Sequence, residues 1–404
     1  MEHEKLNKSF ESRCLMPAGY QTEQEKRDKR FDLRYRSAAG NLVKREKLKK
    51  SFDFRPPKDK ITRGSIRVSP VPSPMTLSEG CILCHQGAKM VLFVTGRCDR
   101  SCWYCPLSSG RKGKDNAYAN EHLVEDPARI IAEAEAMSAL GTGVTGGEPL
   151  LCLDRVTGYC RMLKEHFGKG HHIHLYTARA PSDDELVRMQ ALVDEIRLHP
   201  PHECWENILG SDFISSARRA KELGFSIGIE VPALPGLGYL VPALPYLDFL
   251  NINELEWGET NADEMRRRGF ELADGVHNAV KGARAWADEL CRHEKVHWCS
   301  SAFKDSVQLR ERLKRIAHNT ARSFDEITDD GTVVYGVVEP RVGTMAACTE
   351  LCRNEFGEES FAANVDHIDM AWWILAHLAE SLPGKKYIVE RYPNGGLVVE
   401  VTPL

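Results

Sequence analysis

The 404-residue sequence has no run of about 18 consecutive apolar residues, which excludes an ordinary membrane-spanning helix. Its first residues are polar and charged, without the apolar stretch of a secretory signal. A strong overall excess of one charge is also missing, since the net charge is −4. That small total hides an asymmetry. Residues 1–74 carry 19 Lys and Arg against 10 Asp and Glu, a balance of +9, so residues 75–404 stand at −13. A basic arm on an acidic body could touch nucleic acid or another polyanion. The arm has few aliphatics and no hydrophobic periodicity, so it reads better as a disordered extension, with the protein proper starting at Met75. It runs into Ser69-Pro70-Val71-Pro72-Ser73-Pro74, the composition of a linker.

What the chain does have is cysteine: thirteen, with no export signal to suggest disulfides. Metal or redox chemistry is then the better expectation, and spacing decides which. Cys152, Cys160, Cys204 and Cys291 are scattered and read as buried small hydrophobes.

From about residue 88 to 300, strand-like and helix-like text alternates. Met90 to Val94 is a continuous apolar run, as expected of a parallel strand covered on both faces. Asp126 and Pro127 open a helix with Ile130, Ile131, Ala134 and Met137 on one face and Gly141 as its stop. Gly143–Thr145 leads into a glycine turn. Leu153, Val156, Cys160, Leu163 and Phe167 mark the next helix, which Gly168 ends. His172–Tyr176 alternates as a strand, and Ser182-Asp183-Asp184-Glu185 is a capping box. Further strands are expected at 195–198, 225–231, 246–252 and 296–299, and helices over 211–223 and 276–290. Six or more such units imply parallel strands with right-handed crossovers, either a doubly wound sheet or a partial barrel. Both bind ligands at the carboxyl ends of the strands. Residues from about 325 onward read as a small α+β domain, with Pro393-Asn394-Gly395-Gly396 as a hairpin turn. The expected division is a basic extension at 1–74, a core with a preceding Cys-x-x-Cys segment at 75–324, and the α+β domain at 325–404.

Cys98-Asp-Arg-Ser-Cys102-Trp-Tyr-Cys105 directly follows the first apolar strand. Three thiolates in one short loop can converge on a soft metal centre. On a four-iron cube they would leave one iron open, as a catalytic metal requires; a zinc knuckle with a distant fourth ligand is the alternative. With aromatic Tyr104 before the last cysteine, this loop resembles the signature of the radical S-adenosylmethionine superfamily. Gly146-Gly147-Glu148-Pro149, after the second strand, is similar to that superfamily's second motif. The resemblance spans roughly 88–300 and implies a partial (βα)6 barrel holding a [4Fe–4S] cluster and S-adenosylmethionine. It implies that Cys98, Cys102 and Cys105 hold the cluster and that Gly146, Gly147, Glu148 and Pro149 receive the methionyl end. Tyr104 would lie beside the adenine. Thr177 would meet the ribose, and Gly228, Glu230, Asn251 and Asn253 would line the cofactor. A low-potential electron donor such as ferredoxin or flavodoxin is implied as a partner. The expected activity is reductive cleavage of S-adenosylmethionine to a 5′-deoxyadenosyl radical that takes hydrogen from a substrate the sequence does not name.

Cys81-Ile-Leu-Cys84 is a metal half-site; His297-Trp298-Cys299 is one candidate to complete it and the i, i+4 pair Cys348 and Cys352 another, and Cys81, Cys84 and Cys299 are taken as the set, holding structural zinc or an auxiliary cluster. Gly80 to Cys84, Lys89 to Cys98 and Phe303 to Arg310 resemble a largely archaeal group described as related to the pyruvate formate-lyase activating enzyme. That implies a cytoplasmic setting and suggests a glycyl-radical partner. Modification of RNA or protein is a second reading, and a zinc-stabilised binding protein a third. Arg310, Arg312, Lys314 and Arg315 read as a solvated helix face rather than an RNA contact; Lys304, near a strand end, could contact a carboxylate, but a surface lysine is the preferred reading.

Overall fold

The computed structural model describes residues 77–404 except Val276, Asn394, Gly395 and the side chain of Asp305. The expected disorder of 1–74 and the middle of the Pro393–Gly396 turn lie outside the described residues. Among those described, no helix is long and apolar enough to cross a membrane.

A short helix α1 (Glu79–His85) precedes strand β1 (Lys89–Phe93). A small ribbon, β2 (Tyr118–Ala119) and β3 (His122–Leu123), pairs antiparallel on the edge of β1. Helices and strands then alternate: α2 (Ala128–Ala136), β4 (Gly141–Thr145), α3 (Leu153–Phe167), β5 (His172–Thr177), α4 (Asp183–Met189) and β6 (Glu195–Leu198). They continue through α5 (Asp212–Glu222), β7 (Ser226–Pro232), β8 (Phe249–Asn253), α6 (Ala262–Arg267), α7 (Ala283–Ala287) and β9 (Val296–Cys299). The sheet order is β3-β2-β1-β4-β5-β6-β7-β8-β9, parallel from β1 to β9. Its ends do not pair with each other, so the sheet is a partial barrel rather than a closed one.

Local chemistry explains these elements. Val156, Cys160 and Leu163 of α3 are fully buried, and the helix stops at Gly168, whose φ of +86° a side chain would resist. Ser182 and Glu185 form the expected reciprocal capping box on α4. Two boundaries differ from expectation. Gly141 does not end α2; the helix ends at Ala136 and Gly141 opens β4. The helix expected over 276–290 shrinks to α7, because the preceding residues form isolated bridges, Glu256 with Ala279 and Leu272 with Val280.

After β9, a helical turn (Ser301–Phe303) and a π-turn (Lys304–Gln308) lead into α8 (Leu309–Thr320). Here two expectations fail. Arg312 meets Glu121, and Arg315 donates to the carbonyls of Met137 and Ser138. The basic run is therefore not simply a solvated face: two of its members fasten α8 to the barrel. Lys304 is not a free surface lysine either, since its Nζ lies 2.8 Å from Glu256.

The remaining chain builds an antiparallel sheet: β10 (Glu326–Ile327), β11 (Val333–Pro340), β12 (Phe361–Ala363), β13 (Ile368–Met370), β14 (Gly384–Arg391) and β15 (Val398–Pro403). Their order is β12-β13-β11-β14-β15, with β10 also on β11. Helices α9 (Met345–Phe356) and α10 (Trp372–Leu378) contribute its separate core, which includes Cys348 and Cys352. Of the four scattered cysteines only Cys160 is fully buried; Cys152, Cys204 and Cys291 are half-buried against the barrel core.

Candidate active site

The cysteine loop leaves the carboxyl end of β1 and folds back on its own flank. Gly96 N–H donates to the Lys114 carbonyl at 2.7 Å, and a β-carbon at Gly96 would stand 1.8 Å from the Arg111 carbonyl oxygen. Cys98 is exposed, and Cys102 and Cys105 are half-buried. The loop that follows β8 holds this segment from outside. Asn261 Nδ2 donates to the Tyr104 carbonyl at 3.0 Å, and Thr260 Oγ1 to the carbonyls of Cys105 and Leu107 at 3.0 and 2.6 Å. Trp103 stacks on Phe270, and the Arg268 guanidinium lies over the Trp103 ring. Sequence reading missed Thr260, Asn261 and Arg268, because nothing in their spacing ties them to a loop some 160 residues earlier.

Tyr104 is buried, with its hydroxyl 3.1 Å from His199 Nε2. His199 Nδ1 faces the Glu230 carbonyl at 2.8 Å. A carbonyl only accepts, so Nδ1 carries the proton, Nε2 accepts, and Tyr104 donates. Burial pushes the His199 pKa down, which keeps that neutral tautomer.

The Gly146–Pro149 turn continues from β4 alongside the cysteine loop. Gly147 N–H donates to the Thr95 carbonyl at 2.7 Å and Glu148 N–H to the Arg97 carbonyl at 2.8 Å. A β-carbon at Gly146 would lie 2.5 Å from Thr95 O, and one at Gly147 would lie 2.3 Å from Arg97 O. The two glycines thus let backbone approach backbone, locking the turn to the base of the cysteine loop. Glu148 is fully buried. Its Oε1 accepts from Leu150 N–H at 3.0 Å and from Thr177 Oγ1 at 2.8 Å, and its Oε2 from Ala178 N–H at 2.8 Å. Burial raises its pKa while these donors oppose the shift. Thr177, at the end of β5, spends its hydroxyl proton on Glu148. Pro149 opens a short 3-10 turn, Pro149–Cys152.

Beneath this loop layer, the barrel encloses a cavity of about 210 Å³. Arg197 crosses its wall, 2.6 Å from both Glu195 and Glu230. Asn251 and Asn253 each donate to Glu230 at 2.9 Å. Glu230, Asn251 and Asn253 therefore serve one another and Arg197 inside the barrel. Cys81, Cys84 and Cys299 line the same cavity, the first two from α1. The amino end of α1 is tied to β6: Ser78 Oγ and Gly80 N–H each reach Glu195 at 3.2 Å. His172, His174 and Glu195 bring donor atoms within 4.8 Å of one another. The period-two spacing of the two histidines on β5 was the legible signal for that group. Glu195 is already spent on Arg197, Gly80 and Ser78, and the guanidinium beside it opposes a cation there.

A family described as the radical SAM superfamily matches residues 92–239, and a domain of unknown function matches 331–404. A Methanocaldococcus jannaschii protein, provisionally named as a glycyl-radical enzyme activating enzyme, is 35% identical over 354 residues, covering 81% of this chain and 93% of its own. Among solved structures, Streptococcus suis SuiB bound to S-adenosylmethionine aligns with 13% identity and a TM-score of 0.35 over 53% of this chain and 50% of its own. TsrM from Kitasatospora setae, a radical S-adenosylmethionine methyltransferase, aligns with 10% identity and a TM-score of 0.31 over 45% of this chain and 39% of its own.

Proposed function

This chain belongs to the radical S-adenosylmethionine superfamily, and we propose that within it the protein acts as a glycyl-radical activating enzyme. The observation that carries the reading is the likeness to the Methanocaldococcus protein across nearly all of that protein's length. A non-enzymatic zinc protein is set aside by the family membership.

The cysteine loop fits the cluster this superfamily implies. Cys98, Cys102 and Cys105 lie on one short loop, the first exposed and the other two half-buried, so that three thiolates are accessible to one soft metal centre. When bound there, a [4Fe–4S] cluster supplies the electron that splits the C5′–S bond of S-adenosylmethionine into methionine and a 5′-deoxyadenosyl radical. The protein's part is positioning. Cys98, Cys102 and Cys105 would hold the cluster, with the methionyl group of S-adenosylmethionine taking the position they leave open. Glu148 has about four lone-pair sites and three are occupied, which leaves one for the methionyl ammonium. Gly146, Gly147, Pro149 and Thr177 fix that carboxylate against the cysteine loop, and Tyr104 is held by His199 at the adenine side. The substrate step breaks a glycine Cα–H bond in a partner protein, forms the new C–H bond of 5′-deoxyadenosine, and leaves the unpaired electron on Cα. A ferredoxin- or flavodoxin-like donor would supply the electron.

Anaerobic incubation of the reduced protein with S-adenosylmethionine should release 5′-deoxyadenosine. Cys98→Ala, Cys102→Ala or Cys105→Ala should each abolish that release. A carbon-centred radical with glycyl hyperfine splitting should appear on a co-incubated glycyl-radical enzyme. Full activity in any cysteine variant, or S-adenosylhomocysteine as the main product, overturns the reading.

A further inference from the structure

The chemistry at the cysteine loop leaves unused a set of soft donors inside the barrel. Cys81, Cys84, His85, His297 and Cys299 all line the one cavity, brought there by α1 and β9. His297 is only 9% exposed, yet its Nδ1 has no hydrogen-bond partner, and His85 Nε2 is buried in the same condition. Their rings lie 5.8 Å apart. Unpartnered buried nitrogens are costly and ask for an occupant. Cys81 Sγ lies 3.5 Å from Arg197 Nη2 and 3.3 Å from Asn251 Nδ2, both N–H donors. A sulfur that accepts from two donors, one cationic, is placed as a metal-bound thiolate with its outer partners in position. Lys89 also lines the cavity and is 9% exposed, placing a buried cation on the wall these donors share.

We propose that Cys81, Cys84 and Cys299, with His297 as fourth donor, hold a second iron–sulfur cluster within the barrel. Volume favours a cluster over a zinc ion: the cavity these donors help to line measures about 210 Å³, far more than one metal ion occupies. Three thiolates on a cluster core leave a net negative centre, which the Lys89 ammonium compensates. With four protein donors no iron is left open, so this centre differs from the one at the loop above.

The test uses the full chain with Cys98, Cys102 and Cys105 all changed to Ala, purified anaerobically and reconstituted with ferrous iron and sulfide. It should stay brown and retain about four iron and four sulfide per chain. Adding Cys299→Ala should remove them. In the intact chain, iron should be about twice that of a single cluster, and Cys299→Ala alone should halve it. A folded, colourless triple variant overturns the proposal, as does one zinc per chain in its place. Iron for one cluster in the intact chain, unchanged by Cys299→Ala, overturns it without any triple variant. Failure of the loop assignment appears separately, as 5′-deoxyadenosine release that survives loss of Cys98, Cys102 and Cys105.

Discussion

Two glycines show how the same residue type does opposite work. Gly147 sits where an added β-carbon would meet the Arg97 carbonyl at 2.3 Å, and that oxygen belongs to backbone that cannot swing aside. Gly158 lies within α3 with open space around it. Gly147→Ala should therefore push the cysteine loop off the turn and cost about 1–3 kcal/mol, with loss of bound iron and of cleavage activity. Gly158→Ala should stabilise by about 0.5–1 kcal/mol and leave iron content alone, since it removes only the conformational freedom of the unfolded chain. Urea unfolding and iron analysis of the pair check both. The Gly-Gly-Glu-Pro motif was legible as a string, but its physical role was not. The resemblance implied that these glycines receive the methionyl end; the close approach of the chain's own backbone that they also permit is a tertiary feature that no local pattern reveals.

At the scale of the element, α1 is anchored less by its own propensity than by the carboxylate of Glu195 beneath its amino end. That carboxylate is fully buried and carries Arg197 and the helix together. Burial alone would raise its pKa, but the neighbouring His172 imidazole and the Arg197 guanidinium outweigh it and hold it at about 2. A depressed carboxylate contributes stability that is complete above its unfolded pKa, near 4.5, and lost as pH falls toward 2. Arg197→Met leaves Glu195 and Glu230 as uncompensated buried charges and should cost about 3–5 kcal/mol at neutral pH. The double change Arg197→Met/Glu195→Gln should cost less than the sum of the two single changes. Part of the acid-side destabilisation between pH 4.5 and 2 should also disappear from its denaturation profile. Additive losses would show that the pair does not couple. The strands that carry these residues were readable from alternation and apolar runs, and so were the capping box on α4 and the glycine stop of α3. The ion pairs were not, because Glu195-Ile196-Arg197 shows alternation but not which face the charges take. An open barrel with a polar interior reverses the usual assignment of charge to solvent.

For the whole molecule, the open side of the barrel is the main structural problem, since β9 and the β2–β3 ribbon end the sheet without pairing. The segment after β9 solves it by crossing that gap. Its helix α8 reaches the β2–β3 turn through Arg312 and Glu121, and the end of α2 through Arg315 and Asn319. The run of basic residues on α8 was visible in sequence, but the partners of Arg312 and Arg315 are backbone carbonyls, Asn120 and Glu121 from elsewhere in the chain, which only the fold assembles. The contact is tightest at Gly87, between α1 and β1. There φ is +63°, and a β-carbon would lie 2.3 Å from the Arg312 amide nitrogen. Gly87→Ala combines an unfavourable backbone conformation with a clash against backbone, so it should cost about 2–4 kcal/mol. The loss should not spread evenly. Hydrogen exchange should quicken first in α8 and along β9 and β1, while α3 and β5 keep their protection, because the substitution frees the strap without touching the centre of the sheet. Uniform exchange across all strands would mean that α8 is a passive surface helix and that the barrel holds its shape without it.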